Sequence, residues 1–342
     1  MKIAVLAGGI STERDVSLVT GREVCKALKE NGHKAILLDA YLGCETGPDE
    51  VFDADIDWAS KVAPISEAAP DIEEVKRLRG ADSKEFFGPN VIKICQAADI
   101  VFMALHGDCG ENGKVQAAFD LMGIKYTGTD SLSSALAMDK SLSKLMFKMY
   151  GVSTPDSYML KSIDDDYRPQ YPCVVKICNG GSSVGVYIAN NESEYKSAVR
   201  EAFGYESRVM VEEYIKGREF TCCVIEGRAL PIVEIEPKSG FYDYKNKYQE
   251  GSTIETCPAN IDEATTARIQ AEAVKAYNAL GIKTYARMDF LMSDTNEVYC
   301  LEANTLPGMT PTSLIPQEAA AAGVGYGQLC EWIIKISLQK WD

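Results

Sequence analysis

An α/β fold resting on a parallel sheet is what the start of the chain predicts. Two apolar runs separated by a helical pattern make a βαβ opening, and such units pair their strands in parallel. The length adds a third observation, since 342 residues at about 150 per domain call for two or three domains. Lys2–Ala7 is the first strand and Gly8-Gly9 its turn. From about Asp15 to Asn31 the positions Val16, Val19, Val24, Ala27 and Leu28 supply an apolar helix face, and Gly32 closes the helix. Ala35–Asp39 is the next strand.

Residues 43–88 break the pattern. They are rich in Asp, Glu, Pro and Ala with weak periodicity, and read as a surface insertion holding one short helix over Asp71–Arg79. Asp99–Leu105 returns to a buried strand ending at His106-Gly107, and a helix follows from Lys114 to Met122. Ser131–Tyr150 reads as one helix, stopped by Gly151 and Pro155. Pro172–Lys176 and Val184–Ala189 are strands around the glycine-rich Asn179–Gly185. A helix over Glu192–Phe203 and a strand over Arg208–Tyr214 come next. Glu219–Ile225 and Ala229–Ile235 form a hairpin about Glu226-Gly227, and Asp262–Leu280 is an amphipathic helix. Two more strands and a helix over Gly325–Gln339 end the chain.

Composition narrows the function classes. With 35 basic against 50 acidic residues the net charge is −15, which leaves no electrostatic footprint for nucleic acid or an anionic membrane. Any anion must then be met by a local concentration of cations. No apolar run approaches the ~18 residues that span a bilayer. Gly8-Gly9 cuts the opening run too short for a secretory leader, so the cytoplasm is the expected compartment. Eleven cysteines without a C-x-x-C read as reduced thiols, and only His33 and His106 are available to a Cys/His zinc site.

Four segments carry chemistry. Tyr285–Leu291 and Glu297–Asn304, joined by turn residues, are antiparallel neighbours. Residues two apart share a strand face, so Arg287 joins Asp289 and Glu302 joins Asn304, with Asp289 opposite either Cys300 or Glu302. Three oxygen ligands without imidazole or thiolate suit Mg²⁺, and the arginine beside them suits a phosphate. Asn179–Gly185 is a phosphate-wrapping loop or an ordinary turn; Lys176 just before it favours the phosphate. His106 stands at a strand's C-terminal end, where open α/β sheets bind ligands, although a lone histidine there is more often structural. Glu13 either caps the helix that follows or meets an ammonium group, and on the residues alone capping is the stronger reading.

Taken together and in order, GGISTERDVS (8–17), LHGDCGENG (105–113), MDK (138–140), GGSSVG (180–185), GREF (217–220), FYDYKNKY (241–248), ARMD (286–289) and LEANTLPGMT (301–310) resemble the D-alanine–D-alanine ligase family of the ATP-grasp superfamily. The resemblance runs along nearly the whole chain outside 43–88. It implies an α/β fold of the ATP-grasp type: a Rossmann-like parallel-sheet domain over 1–127, then two α+β domains, 128–214 and 215–342, that clasp ATP. The chemistry it implies has two steps: ATP phosphorylates the carboxylate of one D-alanine, and the amine of a second attacks the acyl phosphate.

The resemblance also implies roles. Lys140, Lys176 and Lys247 hold ATP phosphates under a loop carrying Ser182 and Ser183. Glu212, Glu213 and Ile215 bracket adenine, and Glu219 binds ribose. Glu13, Ser182 and Tyr248 close the site, with Glu13 and His106 beside the first substrate. Asp289, Glu302 and Asn304 ligate two Mg²⁺ (or Mn²⁺), Arg287 and the Gly308 N–H stabilise the oxyanion, and Ser313 and Leu314 hold the second substrate's carboxylate. A homodimer is a further family expectation. Ile177 where many members have proline, and Asn112 where an aspartate is common, are departures that remove no ligand. A D-serine or D-lactate ligase is the alternative on the same scaffold, and a non-catalytic nucleotide-binding protein the distant one.

Overall fold

The computed structural model describes residues 1–54, 56–57, 60, 62–63, 65, 70–80, 84–181, 184–238 and 252–341. β1 (Lys2–Ala7), β2 (Lys34–Asp39) and β3 (Ile100–Met103) form a parallel sheet in the order β2-β1-β3. Between their ends the runs are apolar because both faces are covered. α1 (Arg14–Glu30) buries Val24 and Leu28 on one face. On the other lie α3 (Val91–Ala97) and α5 (Lys114–Met122), through Val91, Ile94 and Phe119. α3 escaped the sequence reading: seven residues entered through a left-handed Asn90 give too few turns to show a period. Within the insertion, α2 (Ile72–Arg79) starts where expected, its first turn capped by the Asp71 carboxylate. Arg79 then donates to the carbonyls of Glu85, Phe86 and Phe87, which ties the end of α2 to the last residues of the insertion.

The helix expected over Ser131–Tyr150 is in fact two, α6 (Ser131–Met138) and α7 (Lys140–Met149). Asp139 leaves helical geometry (φ −86°, ψ 101°) and its carboxylate accepts from the N–H groups of Ser141 and Leu142. An aspartate restarting a helix gains a cap that an interior aspartate lacks, and it is further held by Arg208. The break leaves the Lys140 N–H free to donate to the Cys178 carbonyl at 3.0 Å, so Lys140 enters the central cleft.

β4 (Ser157–Met159), β5 (Cys173–Ile177), β6 (Val186–Ala189) and β7 (Val209–Glu213) form an antiparallel sheet in the order β4-β7-β5-β6, packed on α8 (Glu192–Tyr205). β4 was not anticipated, because three residues are too few for an alternation to register. The third sheet runs β11-β10-β8-β12-β13, with β9 beside β8. Its strands are β8 (Gly217–Ile225), β9 (Arg228–Ala229), β10 (Val233–Pro237), β11 (Thr253–Thr256), β12 (Tyr285–Ser293) and β13 (Val298–Asn304). Glu226 and Gly227 both have positive φ, the two-residue turn that the hairpin required. Its second strand, however, is broken into β9 and β10 at Leu230–Ile232, where Pro231 has no N–H to offer a ladder.

α9 (Glu263–Ala279) covers this sheet with Ile269, Ala273 and Ala276, and Ala137 and Phe147 from α6 and α7 share the same core. α10 (Leu314–Ala321), unanticipated, precedes α11 (Tyr326–Leu338). α11 folds back on the first sheet, where Leu329, Ile333 and Ile336 meet Ile3, Val5 and Leu28. Among the described residues no helix is long and apolar enough to cross a membrane.

Candidate active site

Two connected cavities lie where the three sheets meet. The smaller, about 170 Å³, is lined by Glu13, His106, Arg287 and Asn304 on one side and by Gly308, Ser313 and Leu314 on the other. The larger, about 450 Å³, is lined by Lys176, Glu212, Glu213, Ile215, Glu219 and Asp289. Lys140, Gly180, Gly181 and Glu302 border both, so the two form one cleft. The structure thus gathers the sequence-derived residues into two groups. Ser182, Ser183, Lys247 and Tyr248 lie outside the described residues.

The β12–β13 ladder settles the register that the sequence left open. Arg287 faces Asn304 and Asp289 faces Glu302, with a bulge after Asp289. The Arg287 guanidinium grips both oxygens of Asp289 at 2.8 and 2.7 Å, Asn304 donates to one of them at 2.9 Å, and the Thr221 hydroxyl to the other at 2.7 Å. Lys140 bridges Glu302 (3.2 Å) and the Gly180 carbonyl (2.7 Å). Burial works against the Lys140 charge, but Glu302 outweighs it and holds the ammonium above its ordinary value.

Behind the larger cavity Glu212 is buried between Lys176 and Lys144. Lys144 also donates to the Thr154 hydroxyl at 2.7 Å and the Pro155 carbonyl at 2.9 Å. Burial pushes the Glu212 carboxyl up, and the two lysines more than reverse it, leaving it below the usual range. Lys144 went unremarked in the sequence, yet the signal was there: it lies four residues after Lys140 on one helix, hence on the same face.

In the smaller cavity the loop after β1 is fixed by Arg14, which donates to the Gly9 carbonyl and pairs with Asp39. Glu13 packs on glycines from two directions: a Cβ at Gly107 would lie 2.6 Å from its Oε2, and one at Gly181 2.8 Å. A Cβ at either position would push the Glu13 carboxylate aside, and Gly107 (φ +70°) needs glycine for its backbone as well. His106 is buried and held neutral by desolvation. Its Nδ1–H donates to the Leu306 carbonyl at 2.7 Å, so Nε2 accepts from the Thr20 hydroxyl at 2.9 Å. His106, just after β3, therefore ties the loop after β13 through Nδ1 and α1 through Nε2.

Glu111, in α4 (Asp108–Glu111), also holds the loop after β13 with its carboxylate, accepting from the N–H groups of Thr305, Leu306 and Gly107 at 3.0–3.1 Å. No spacing rule singled it out, since one helical turn carries no period. Desolvation and the nearby Glu13 raise its carboxyl from 4.5 to about 7, against the pull of the Leu306 and Gly107 N–H groups. The native state then binds more protons than the unfolded chain between those values. Stability contributed here falls as pH rises from about 4.5 to about 7 and is flat above. Urea midpoints measured across that range should show the decline in the parent and not in Glu111→Gln; a parallel decline in both would refute it.

Comparison with known proteins agrees with this geometry. A family model described as D-ala D-ala ligase N-terminus matches residues 2–129, and one described as D-ala D-ala ligase C-terminus matches 149–335. A curated D-alanine--D-alanine ligase of Pediococcus pentosaceus is 45% identical over 98% of this chain and 97% of its own. One from Lacticaseibacillus casei is 43% identical over 99% and 96%. Among solved structures, the ATP-complexed D-alanine--D-alanine ligase of Bacillus anthracis superposes with a TM-score of 0.76 at 30% identity, covering 99% of this chain and 98% of that one. VanG D-Ala:D-Ser ligase of Enterococcus faecalis gives 0.75 at 29%, covering 98% and 99%. On matches of this extent, the chain belongs to the D-ala D-ala ligase family of ATP-grasp proteins.

Proposed function

We infer that the protein is an ATP-dependent D-alanine–D-alanine ligase that makes the dipeptide for peptidoglycan precursors. The observation that carries this reading is the single cleft in which Lys140 and Glu302 border both cavities. A nucleotide in the larger and an amino acid in the smaller would then meet at those two side chains. We assign three units to the chain, 1–127, 128–214 and 215–342.

In the first step a carboxylate oxygen of one D-alanine attacks the γ-phosphorus, the bond to the bridging oxygen breaks and ADP leaves. Phosphoryl transfer asks the protein for position and positive charge more than covalent work. Lys140 and Lys176 supply it from the described residues, and Lys247 from the segment beyond them. Asp289, Glu302 and Asn304 offer two carboxylates opposite one another and an amide oxygen beside them, without thiolate or imidazole. In kind that donor set fits Mg²⁺, which when bound would neutralise phosphate charge, with Asp289 giving up a hydrogen bond it accepts from Arg287, Thr221 or Asn304 to ligate it.

In the second step the amine of the other D-alanine attacks the acyl carbon and phosphate leaves. Arg287 and the Gly308 N–H stabilise the oxyanion, Ser313 and Leu314 hold the incoming carboxylate, and Glu13 holds the first ammonium. ATP as substrate and eleven unpaired thiols suit a reducing cytoplasm, and we expect a homodimer.

Phosphate release from ATP with Mg²⁺ tests the reading, using D-alanine alone and mixed with D-serine or D-lactate, with products identified by mass. D-Ala–D-Ala as the main product is expected. A mixed product with D-serine in excess would move the enzyme to the D-serine ligases, and no turnover would return it to nucleotide binding. Tyr248 and Ser182 serve as a lid that keeps water from the acyl phosphate. Tyr248→Phe should therefore raise phosphate released per dipeptide, and an unchanged ratio removes the lid role.

A further inference from the structure

Glu318 has no part in the reaction as derived, yet it is a fully buried acid. It lies within α10, whose other buried residues are Leu314, Ile315, Pro316 and Ala319. Oε2 accepts the Cys223 N–H at 2.6 Å, and Oε1 has no partner among the described residues. Burial pushes the carboxyl well above the carboxylate range, with Arg287 pulling the other way and Asp289 adding to the rise.

The hydrogen bond falls where the sheet is incomplete. Pairing of β10 with β8 ends at Val233 and Thr221, while β9 pairs from Ala229 and Val224. Cys223 lies in the gap opened at Pro231. Its carbonyl is still met by the Leu230 N–H, and its own N–H is taken by Glu318. On its other side Cys223 is the ladder partner of Arg287. Leu314 stands four residues before Glu318 on the same helix face, buried against Val233 and Ile235, with Ser313 at the N-cap. One contact thus joins the helix that begins at the smaller cavity to the strand beside Arg287.

We propose that Glu318 is a positioning residue: its hydrogen bond into the gap in β8 sets the depth and rotation of α10, and so places Ser313 and Leu314 relative to Arg287. This rests on the smaller cavity accepting the second amino acid. Gln is the informative substitution, since its amide carbonyl accepts the same N–H. Asp keeps the acid but withdraws it by one methylene, and Leu removes the acceptor.

Initial rates of the full chain against D-alanine, fitted with separate Michaelis constants for the two sites, test it. Glu318→Leu and Glu318→Asp should raise the second-site KM by about tenfold, with kcat, the first-site KM and the ATP KM held within about twofold. Glu318→Gln should restore the parent value. If Glu318→Leu does not fold, Glu318→Asp and Glu318→Gln still decide the matter. Equal KM in Asp and parent, a Gln variant as impaired as Asp, or a uniform loss in all parameters would overturn the proposal while leaving the ligase reading intact. A parent enzyme that releases no phosphate with D-alanine would sink the reading and the proposal together.

Discussion

Replacing Arg287 with alanine should lower kcat for dipeptide formation by about 10²–10³, the loss that accompanies removal of one preorganised oxyanion donor. The guanidinium is the charge around which the smaller cavity is arranged: it grips Asp289 through two nitrogens and acts on His106, Glu111 and Glu318. Fixing its fork on Asp289 before substrate arrives removes the cost of orienting it during the reaction. Lysine should not rescue the loss, because a single ammonium cannot hold both Asp289 oxygens in one plane and still face the oxyanion. The fold should survive, since Thr221 and Asn304 continue to satisfy Asp289. Single-turnover rates with an unfolding curve for each variant check both halves, and an Arg287→Ala enzyme with near-parent kcat would refute the role.

Glu212→Ala should be the most destabilising single change in the cleft, by about 3–5 kcal/mol, because it strands two buried ammonium groups without their carboxylate. Lys144 keeps Thr154 and Pro155 as hydrogen-bond partners, but neither carries charge. The folded-state carboxyl lies below its ordinary value, so its stabilisation is present above about pH 4.5 and lost as pH falls through the lowered value. Urea midpoints of parent and variant should therefore be far apart at neutral pH and converge in acid. A gap that is small at neutral pH, or that widens on acidification, would show that the triad is not what holds this wall. ATP affinity should fall as well, since Glu212 is the partner that aims Lys176.

Much of this was legible in the chain itself, for reasons that differ by element. β12 and β13 announced themselves because alternation puts Arg287 with Asp289, and Glu302 with Asn304, whichever register is adopted. α1 and α5 were legible because a helix of two or more turns repeats its apolar face. The break at Asp139 was not, because residues 131–150 carry a helical pattern on both sides of it and only a cap distinguishes one helix from two. Pro231 was visible, but its effect depends on which neighbour would have received an N–H, and that is a tertiary fact. Glu111, Lys144 and Glu318 act through backbone groups and charges far away in sequence. Of the three, only Lys144 left a trace, through its helical spacing from Lys140.

The return of α11 to the first sheet gives the molecule an order of assembly. The ribosome releases β1, β2 and β3 early, yet the apolar side chains Ile3, Val5 and Leu28 receive Leu329 and Ile333 only when α11 emerges, about 300 residues after Leu28. In the interval both other sheets are synthesised while this face lacks its final cover, the kind of surface that recruits chaperones or seeds aggregation. A message truncated shortly before Leu329 would leave every proposed ligand in place and still deny the first sheet its closing helix. Docking of α11, which carries none of the proposed ligands, thereby becomes the step that closes the first sheet.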